Sequence, residues 1–224
     1  MIRLDGLSKS YDRKSPIIRD ASFDLPDGSA LAILGPSGSG KTTLLRLIAG
    51  LELPDDGTIW RDGEVISEPG WALAPHRRGM GFLFQSPALW PHMTVAQNIR
   101  FGLAGWARPA ARQRLEELLA QTGLEALSDR FPHQLSGGEA RRAALARALA
   151  PRPACLLMDE PLTHLDADLK QEMLALILSS AAAARASLVY VTHDPAEAEV
   201  VSARVGRMEA GRLVFPPAGE GGAG

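Results

Sequence analysis

The segment Gly35-Pro36-Ser37-Gly38-Ser39-Gly40-Lys41-Thr42 constrains this chain more than any other, because it follows the compact apolar run Ala30–Leu34 and leads into helical character over residues 42–49. A strand, a glycine-rich loop and a helix in that order turn successive backbone N–H groups toward a phosphate, where the helix dipole also favours an anion. Lys41 then holds the β- and γ-phosphates of a nucleoside triphosphate, and the Thr42 hydroxyl ligates Mg2+. Two more short apolar runs, residues 154–158 and 188–191, also end in polar residues, Asp159-Glu160 and Thr192-His193-Asp194. Continuous apolar runs of that length suit strands of a parallel sheet covered on both faces. Their polar ends line the one edge where open α/β sheets place ligands. Asp159 would hold the metal ion from the side opposite Thr42, and Glu160 would orient and deprotonate an attacking water. An acidic turn ahead of Pro161 is the alternative reading of that pair.

The rest of the chain divides by texture. Residues 2–7, 21–25 and 58–60 read as strands, punctuated by Pro26-Asp27-Gly28 and Pro54-Asp55-Asp56-Gly57. Between residues 86 and 150 the pattern changes to alanine-rich helical periodicity, over 112–122 and 139–150, which predicts a helical subdomain inserted between strands. Residues 216–224 are rich in Pro, Gly and Ala and read as a disordered tail. At 224 residues the chain fits one large domain, or a core with a modest insertion, and needs no staples to hold a hydrophobic core.

Composition excludes several classes. The 24 basic and 26 acidic residues leave a net charge of −2, so nothing draws nucleic acid to the chain as a whole and no nucleic-acid partner is expected. The one cysteine, Cys155, allows neither an intrachain disulfide nor a cysteine zinc cluster. It reads as a small buried hydrophobe and suits a reducing cytosol. The N-terminus lacks the apolar core of a signal peptide. Residues 79–99 carry no Asp, Glu, Lys or Arg but are interrupted by Gln85, Pro87, Pro91, His92 and Asn98, and residues 173–184 are too short to span a bilayer. Any membrane role would therefore act through a partner.

Leu135-Ser136-Gly137-Gly138-Glu139 has two readings. Ser136, with Glu139 three residues later, fits a capping box that opens the following helix. Two adjacent glycines exceed what capping requires, and would leave bare N–H groups at a helix start facing an anion. Lying between a phosphate loop and an apolar strand that ends in Asp-Glu, this segment resembles the signature of ATP-binding cassette (ABC) proteins. The resemblance extends from Met1 to about residue 215, with the family's motifs in order.

The resemblance implies a RecA-like P-loop NTPase core with an antiparallel β subdomain and an inserted α-helical subdomain. Residues 1–215 would form one ABC ATPase domain, with 1–85 and 151–215 as the catalytic core and β subdomain, and 86–150 as the helical signature subdomain. By the same resemblance Tyr11 stacks on adenine, and Gln85 joins the metal site to the helical subdomain. Asp166 meets the other subunit, while His193 contacts the γ-phosphate and supports Glu160. Taken singly, Tyr11 is also readable as a surface aromatic, Gln85 as a turn residue and His193 as a polar strand end. Two departures from the family pattern stand out: Thr163-His164 before Leu165-Asp166, where Ser-Ala or Ser-Asn is more usual, and Ala140 in place of glutamine.

The resemblance further implies a head-to-tail homodimer sandwiching two ATP molecules. Each site would use residues 35–43, including Thr43, with Asp159, Glu160 and His193 of one chain, and Ser136, Gly137, Gly138 and Glu139 of the other. Residues 84–95 and Phe131-Pro132-His133-Gln134 resemble importer ATPases of the iron(III), polyamine, thiamine or sulfate type. Leu89, Trp90 and Met93 are also readable as plain core; by the resemblance residues 88–95 would dock a permease helix through Trp90 and Met93, with a solute-binding protein completing the system. The chain would sit in the cytoplasm against the inner face of the plasma membrane. Many such relatives continue into a C-terminal β domain, and no regulation through one is expected from these 224 residues. Exporters, lipoprotein-release or division complexes, soluble cassettes of translation or repair, and a binding-only sensor are the competing readings.

Overall fold

The computed structural model describes residues 1–12 and 16–216. Of the expected disordered tail, residues 217–224 lie outside the described residues. Three strands, β1 (Ile2–Ser10), β2 (Pro16–Leu25) and β3 (Ala30–Leu34), precede helix α1 (Lys41–Ala49). Four more strands come next, β4 (Asp56–Arg61), β5 (Glu64–Glu68), β6 (Trp71–Ala72) and β7 (Met80–Leu83), and then helices α2 (Val95–Phe101), α3 (Arg108–Thr122) and α4 (Gly137–Leu149). The last third alternates: β8 (Cys155–Asp159), α5 (Ala167–Ala184), β9 (Ser187–Thr192), α6 (Pro195–Val201), β10 (Val205–Glu209) and β11 (Arg212–Val214).

Six strands form the central sheet in the order β11-β10-β3-β9-β8-β7, parallel from β10 to β7. Every residue of β8 and β9 is buried, which is why both read as unbroken apolar runs. Their side chains nevertheless alternate between two cores. Leu31, Ile33, Leu157, Val189 and Val191 share a cluster with Leu44, Leu47 and Ile48 of α1. Ala32, Leu156, Met158, Leu188 and Tyr190 join the apolar sides of α2 through α6 on the other face. The α/β class expected from the sequence is the one that forms.

A second, antiparallel sheet in the order β2-β1-β4-β5-β6 adds Leu4, Leu7, Ile18, Phe23 and Ile59 to the α1 cluster. Here the strands depart from the sequence expectation. Register shifts between Leu4 and Leu7, and again between Leu7 and Lys9, interrupt the two-residue alternation, so β1 and β2 extend beyond residues 2–7 and 21–25. Strands β5, β6, β7, β10 and β11 have no counterpart among the expected strands. The turn joining β4 to β5 is Asp62-Gly63, with both residues at positive φ (54° and 86°), a hairpin signal flanked by too little alternating apolar sequence to stand out. In β7, Gly81 is dictated by α4: a Cβ there would lie 2.6 Å from the Ala148 carbonyl oxygen. Among the described residues no helix is long and apolar enough to cross a membrane.

One buried charge ties the antiparallel sheet to α1. Arg78 is fully buried and donates to the carbonyls of Leu47 (3.3 Å) and Ile48 (2.8 Å) in the last turn of α1, of Ile66 in β5 (2.8 Å) and of Leu73 (2.8 Å). Carbonyls at a helix end have no partner within the helix, and the guanidinium supplies one from outside. Burial lowers its pKa to about 10. Gly50 leaves room for it, since a Cβ at that position would stand 2.4 Å from the Arg78 Nε. Arg78→Met would remove the guanidinium from all of these carbonyls, leaving Leu47 with the Gly50 N–H and Ile66 with the Leu73 N–H, at a cost of about 3 kcal/mol or more. Urea denaturation should show this as a lower midpoint, and a loss below about 1 kcal/mol would mean that relaxation or water replaces the donor.

Candidate nucleotide site

Strand register assembles the site. Leu34 pairs with Thr192 and Asp159 with Val191, so Gly35, Glu160 and His193 emerge side by side from adjacent strands. The loop after β3 returns into α1 through Gly38 (φ 78°) and Gly40 (φ 106°), conformations that L side chains rarely adopt. At Gly40 and Gly35 space is also limiting, because a Cβ would stand 2.7 Å from the Ile17 oxygen and 2.4 Å from the Met208 oxygen. At Gly38 nothing lies within 4 Å, so the loop encloses open space there. Helix α1 has no side-chain cap and no acid in its first turn, whereas Thr94, Ser136, Asp166 and Asp194 cap α2, α4, α5 and α6. Its first N–H groups are thus left for a ligand. In the same loop the Ser39 hydroxyl is buried and has no hydrogen-bond partner among the described residues. An anion cradle satisfies both observations.

The charged groups converge on that cradle. Lys41 is 4% exposed, and its Nζ donates to the carbonyls of Gly35 (2.7 Å) and Pro36 (3.0 Å) and pairs with Glu160 Oε1 (3.1 Å). Glu160 Oε2 faces His193 Nδ1 at 3.1 Å. Thr42 Oγ1 donates to Asp159 Oδ1 at 2.9 Å. Burial alone would raise the Glu160 carboxyl, but Lys41 and His193 outweigh it and hold the pKa below the usual range. Asp159 shifts the other way: burial raises it, and the Glu160 charge adds to that effect against the Thr42 hydrogen bond. A hydroxyl beside a carboxylate disfavoured as an anion is a donor set suited to a hard divalent cation.

The other expected site residues lie around this centre. Tyr11 is exposed, with its hydroxyl hydrogen-bonded to Glu52 and 3.4 Å from Thr43 Oγ1. Gln85 is exposed, and its backbone carbonyl accepts from Arg141 (3.3 Å). Asp166 caps α5, accepting from the Leu169 N–H (2.9 Å). His164 holds a left-handed backbone (φ 65°), a conformation asparagine tolerates well, which gives physical sense to the Ser-Asn alternative at this position.

Ser136 and Glu139 form the capping box: the Ser136 N–H donates to Glu139 Oε2 (2.7 Å) and the Glu139 N–H to Ser136 Oγ (3.3 Å). The Ser136 N–H, and after it the Ser136 hydroxyl, lower the Glu139 pKa. The two glycines differ in what they do. Gly137 is exposed with open space around it, whereas a Cβ at Gly138 would lie 2.8 Å from Leu169 Cδ2, so Gly138 lets α4 approach α5.

Three polar residues, Asn98 and Glu197 buried and Arg147 half-buried, were not visible as site residues in the sequence. Arg147 of α4 donates to the carbonyls of Pro87 (3.2 Å) and Ala88 (2.8 Å). Asn98, fully buried, donates to the carbonyls of Trp90, Met93 and Thr94 and accepts from the Trp90 N–H (2.8 Å). Together they shape residues 87–94 into a surface on which Trp90 packs against His92 and the exposed Phe101. Behind His193, buried Glu197 accepts from Tyr190 (3.0 Å) and Thr192 (2.8 Å) and pairs with Lys170 (3.4 Å). In sequence, arginines within an alanine-rich helix read as a solvated face, and only the direction of each side chain reveals otherwise.

The family model described as "ABC transporter" matches residues 18–163. The Fe(3+) ions import ATP-binding protein FbpC of Pseudomonas fluorescens is 47% identical over 95% of the chain, and the chain covers 60% of it. The spermidine/putrescine import ATP-binding protein PotA of Pseudomonas fluorescens is 44% identical over 95% of the chain, which covers 59% of it. The chain thus spans about 60% of the length of these curated relatives. Among solved structures, a dimeric ATP-binding cassette in a post-hydrolysis state with ADP and Pi superimposes with a TM-score of 0.83 at 28% identity, covering 96% of this chain and 98% of that one. A component of the cbiONQ ABC transporter complex of Clostridium perfringens gives a TM-score of 0.85 at 28% identity, covering 95% and 86%.

The raised Asp159 carboxyl carries a consequence for stability. An acid whose pKa is higher folded than unfolded costs stability above its folded pKa, and the cost vanishes below the unfolded value near 3.8. Asp159→Asn keeps an acceptor for Thr42 and removes the charge. Without nucleotide or metal, the variant should melt above the parent at pH 7.5, with the gap closing as pH falls toward 4. Calorimetric scans across that range decide it, and a lower melting temperature at pH 7.5 would contradict the assignment.

Proposed function

This chain belongs to the ABC transporter family, and from that premise we propose that it is the ATP-hydrolysing subunit of a membrane importer. The observation that carries the reading is the convergence of Lys41, Thr42, Asp159, Glu160 and His193 on one loop at one sheet edge. Lys41 would exchange Glu160 for the β- and γ-phosphates of ATP, since all three compete for one ammonium group. Released from Lys41 but still facing His193, Glu160 would take the proton of the attacking water. Thr42, Asp159 and the Gln85 side chain would hold Mg2+, whose charge would offset that developing on the phosphates. Tyr11 would stack on the adenine.

The exposed Ser136 and Gly137 support a site completed by a second copy of the chain. Their helix N-terminus would meet the γ-phosphate bound by the partner's residues 35–43, with Asp166 lying at the same dimer face. Only ATP offers that phosphate, so ATP would close the dimer and hydrolysis would reopen it. Residues 1–85 and 151–215 would move as one body and 86–150 as another. The surface of Trp90, Met93 and Phe101 would pass that motion to a permease, with the chain at the cytoplasmic face and a solute-binding protein in the full system. The import names of the relatives support this direction of transport.

Glu160→Gln should bind ATP and dimerise while turning over at least about 100-fold more slowly, read by gel filtration and phosphate release. A variant that binds nucleotide and stays monomeric would count against the sandwich. Lys41→Ala should lose ATP binding itself, and unchanged ATPase activity would sink the site assignment. Trp90→Asp with Met93→Asp should abolish co-purification with the permease and spare basal ATPase activity. Intact assembly would move the docking surface elsewhere.

A further inference from the structure

Glu160 does not sit in relaxed backbone. Its φ is 43°, His164 four residues on has φ 65°, and neither residue is glycine. The turn between them is therefore held by its surroundings rather than by local preference. Part of the hold comes from the sheet, where the Glu160 N–H donates to the Val191 carbonyl (3.0 Å). Part comes from Thr163, whose hydroxyl donates to the Glu160 carbonyl (3.0 Å).

The remainder comes from α4. Arg141, in the second turn of that helix, is buried, and its guanidinium donates to the carbonyls of Pro161 and Thr163 within the turn. It also reaches the carbonyl of Gln85 (3.3 Å). Among the described residues it forms no salt bridge, so these carbonyls are the groups that compensate a charge removed from water. A planar fork reaches acceptors on two segments at once, which a lysine ammonium on a flexible stem cannot reproduce.

We propose that Arg141 is a positioning residue for Glu160. Its fork holds the left-handed turn that aims the carboxylate, and by sharing that fork with Gln85 it fixes the turn to the segment leading to Trp90. The proposal rests on the reading of Glu160 as the base, and it adds a physical link from α4, whose cap Ser136 and first residue Gly137 are exposed, to the base of the same chain. The Arg141 guanidinium is directed to backbone carbonyls, so its effect should appear in turnover and not in binding.

The test uses the whole chain with MgATP, and measures kcat and KM alongside the melting temperature. Arg141→Met should lower kcat about 10- to 100-fold and leave KM within about threefold. Arg141→Lys, with charge but no fork, should recover only part of the loss. Combined with Glu160→Gln, Arg141→Met should cost nothing further, because a residue that acts through Glu160 has nothing left to position. A raised KM with unchanged kcat would overturn the proposal, as would an added loss in the Glu160→Gln background. Should Arg141→Met fail to fold, Arg141→Lys carries the test, and failure of both would mark the residue as structural and overturn it. A parent chain that folds and binds ATP without hydrolysing it would instead overturn the assigned function.

Discussion

Parallel pairing of β9 with β3 on one side and β8 on the other decides where each charged group of this protein stands. Because the three strands run in one direction and in fixed register, their last residues reach the same edge together. A one-residue slip in either pairing would turn the alternating side chains of β8 or β9 from one core to the other. Both cores are apolar, so the slip would be resisted by packing rather than by charge. The site is therefore placed by the hydrophobic pattern of the strands. The polar residues only occupy the ends that this pattern presents.

A recurring device secures what the strands leave loose. Arg78, Arg141 and the half-buried Arg147 each send a guanidinium to several backbone carbonyls at the ends of elements and in turns. A buried charge without a carboxylate is costly, and charge-assisted bonds to several carbonyls are what make it tolerable. The same bonds make each segment depend on the element that supplies the arginine. Arg78 joins the end of α1 to the antiparallel sheet, and Arg147 joins α4 to the segment before Trp90. Helix α4 thus has one end exposed and a side that grips two neighbouring loops.

The site balances its own charges. Lys41 lies between Glu160 and two loop carbonyls, and Glu160 lies between Lys41 and His193. Asp159, paired only with a hydroxyl and next to another carboxylate, is the group left under electrostatic stress. A cation would relieve Asp159, and phosphate oxygens would take the place of Glu160 on Lys41, so the proposed metal–phosphate ligand suits two separate groups of this loop. That is a stronger argument for such a ligand than any single motif, since it rests on the surroundings of each group.

Much of this was legible in the sequence. The glycine loop, the acidic strand end at Asp159-Glu160 and the box at Ser136 and Glu139 are local patterns whose spacing alone places them on a loop, a strand end and a helix start. Strands β8 and β9 were visible because burial on both faces leaves an unbroken apolar run. Strands β1 and β2 were truncated because their irregular register hides the alternation, and β7 was missed because Gly81 answers to α4 and not to its own strand. What only the tertiary structure decided is which neighbour each side chain meets: that Gly138 makes room for Leu169, that Arg141 faces the turn after Glu160 and not solvent, and that Lys41 is held by Glu160. Motifs are set by hydrogen bonds within a few residues of chain and so are written in order. Contacts across 20 or more residues depend on how two elements pack, and identical letters in an alanine-rich helix can face either way until that packing exists.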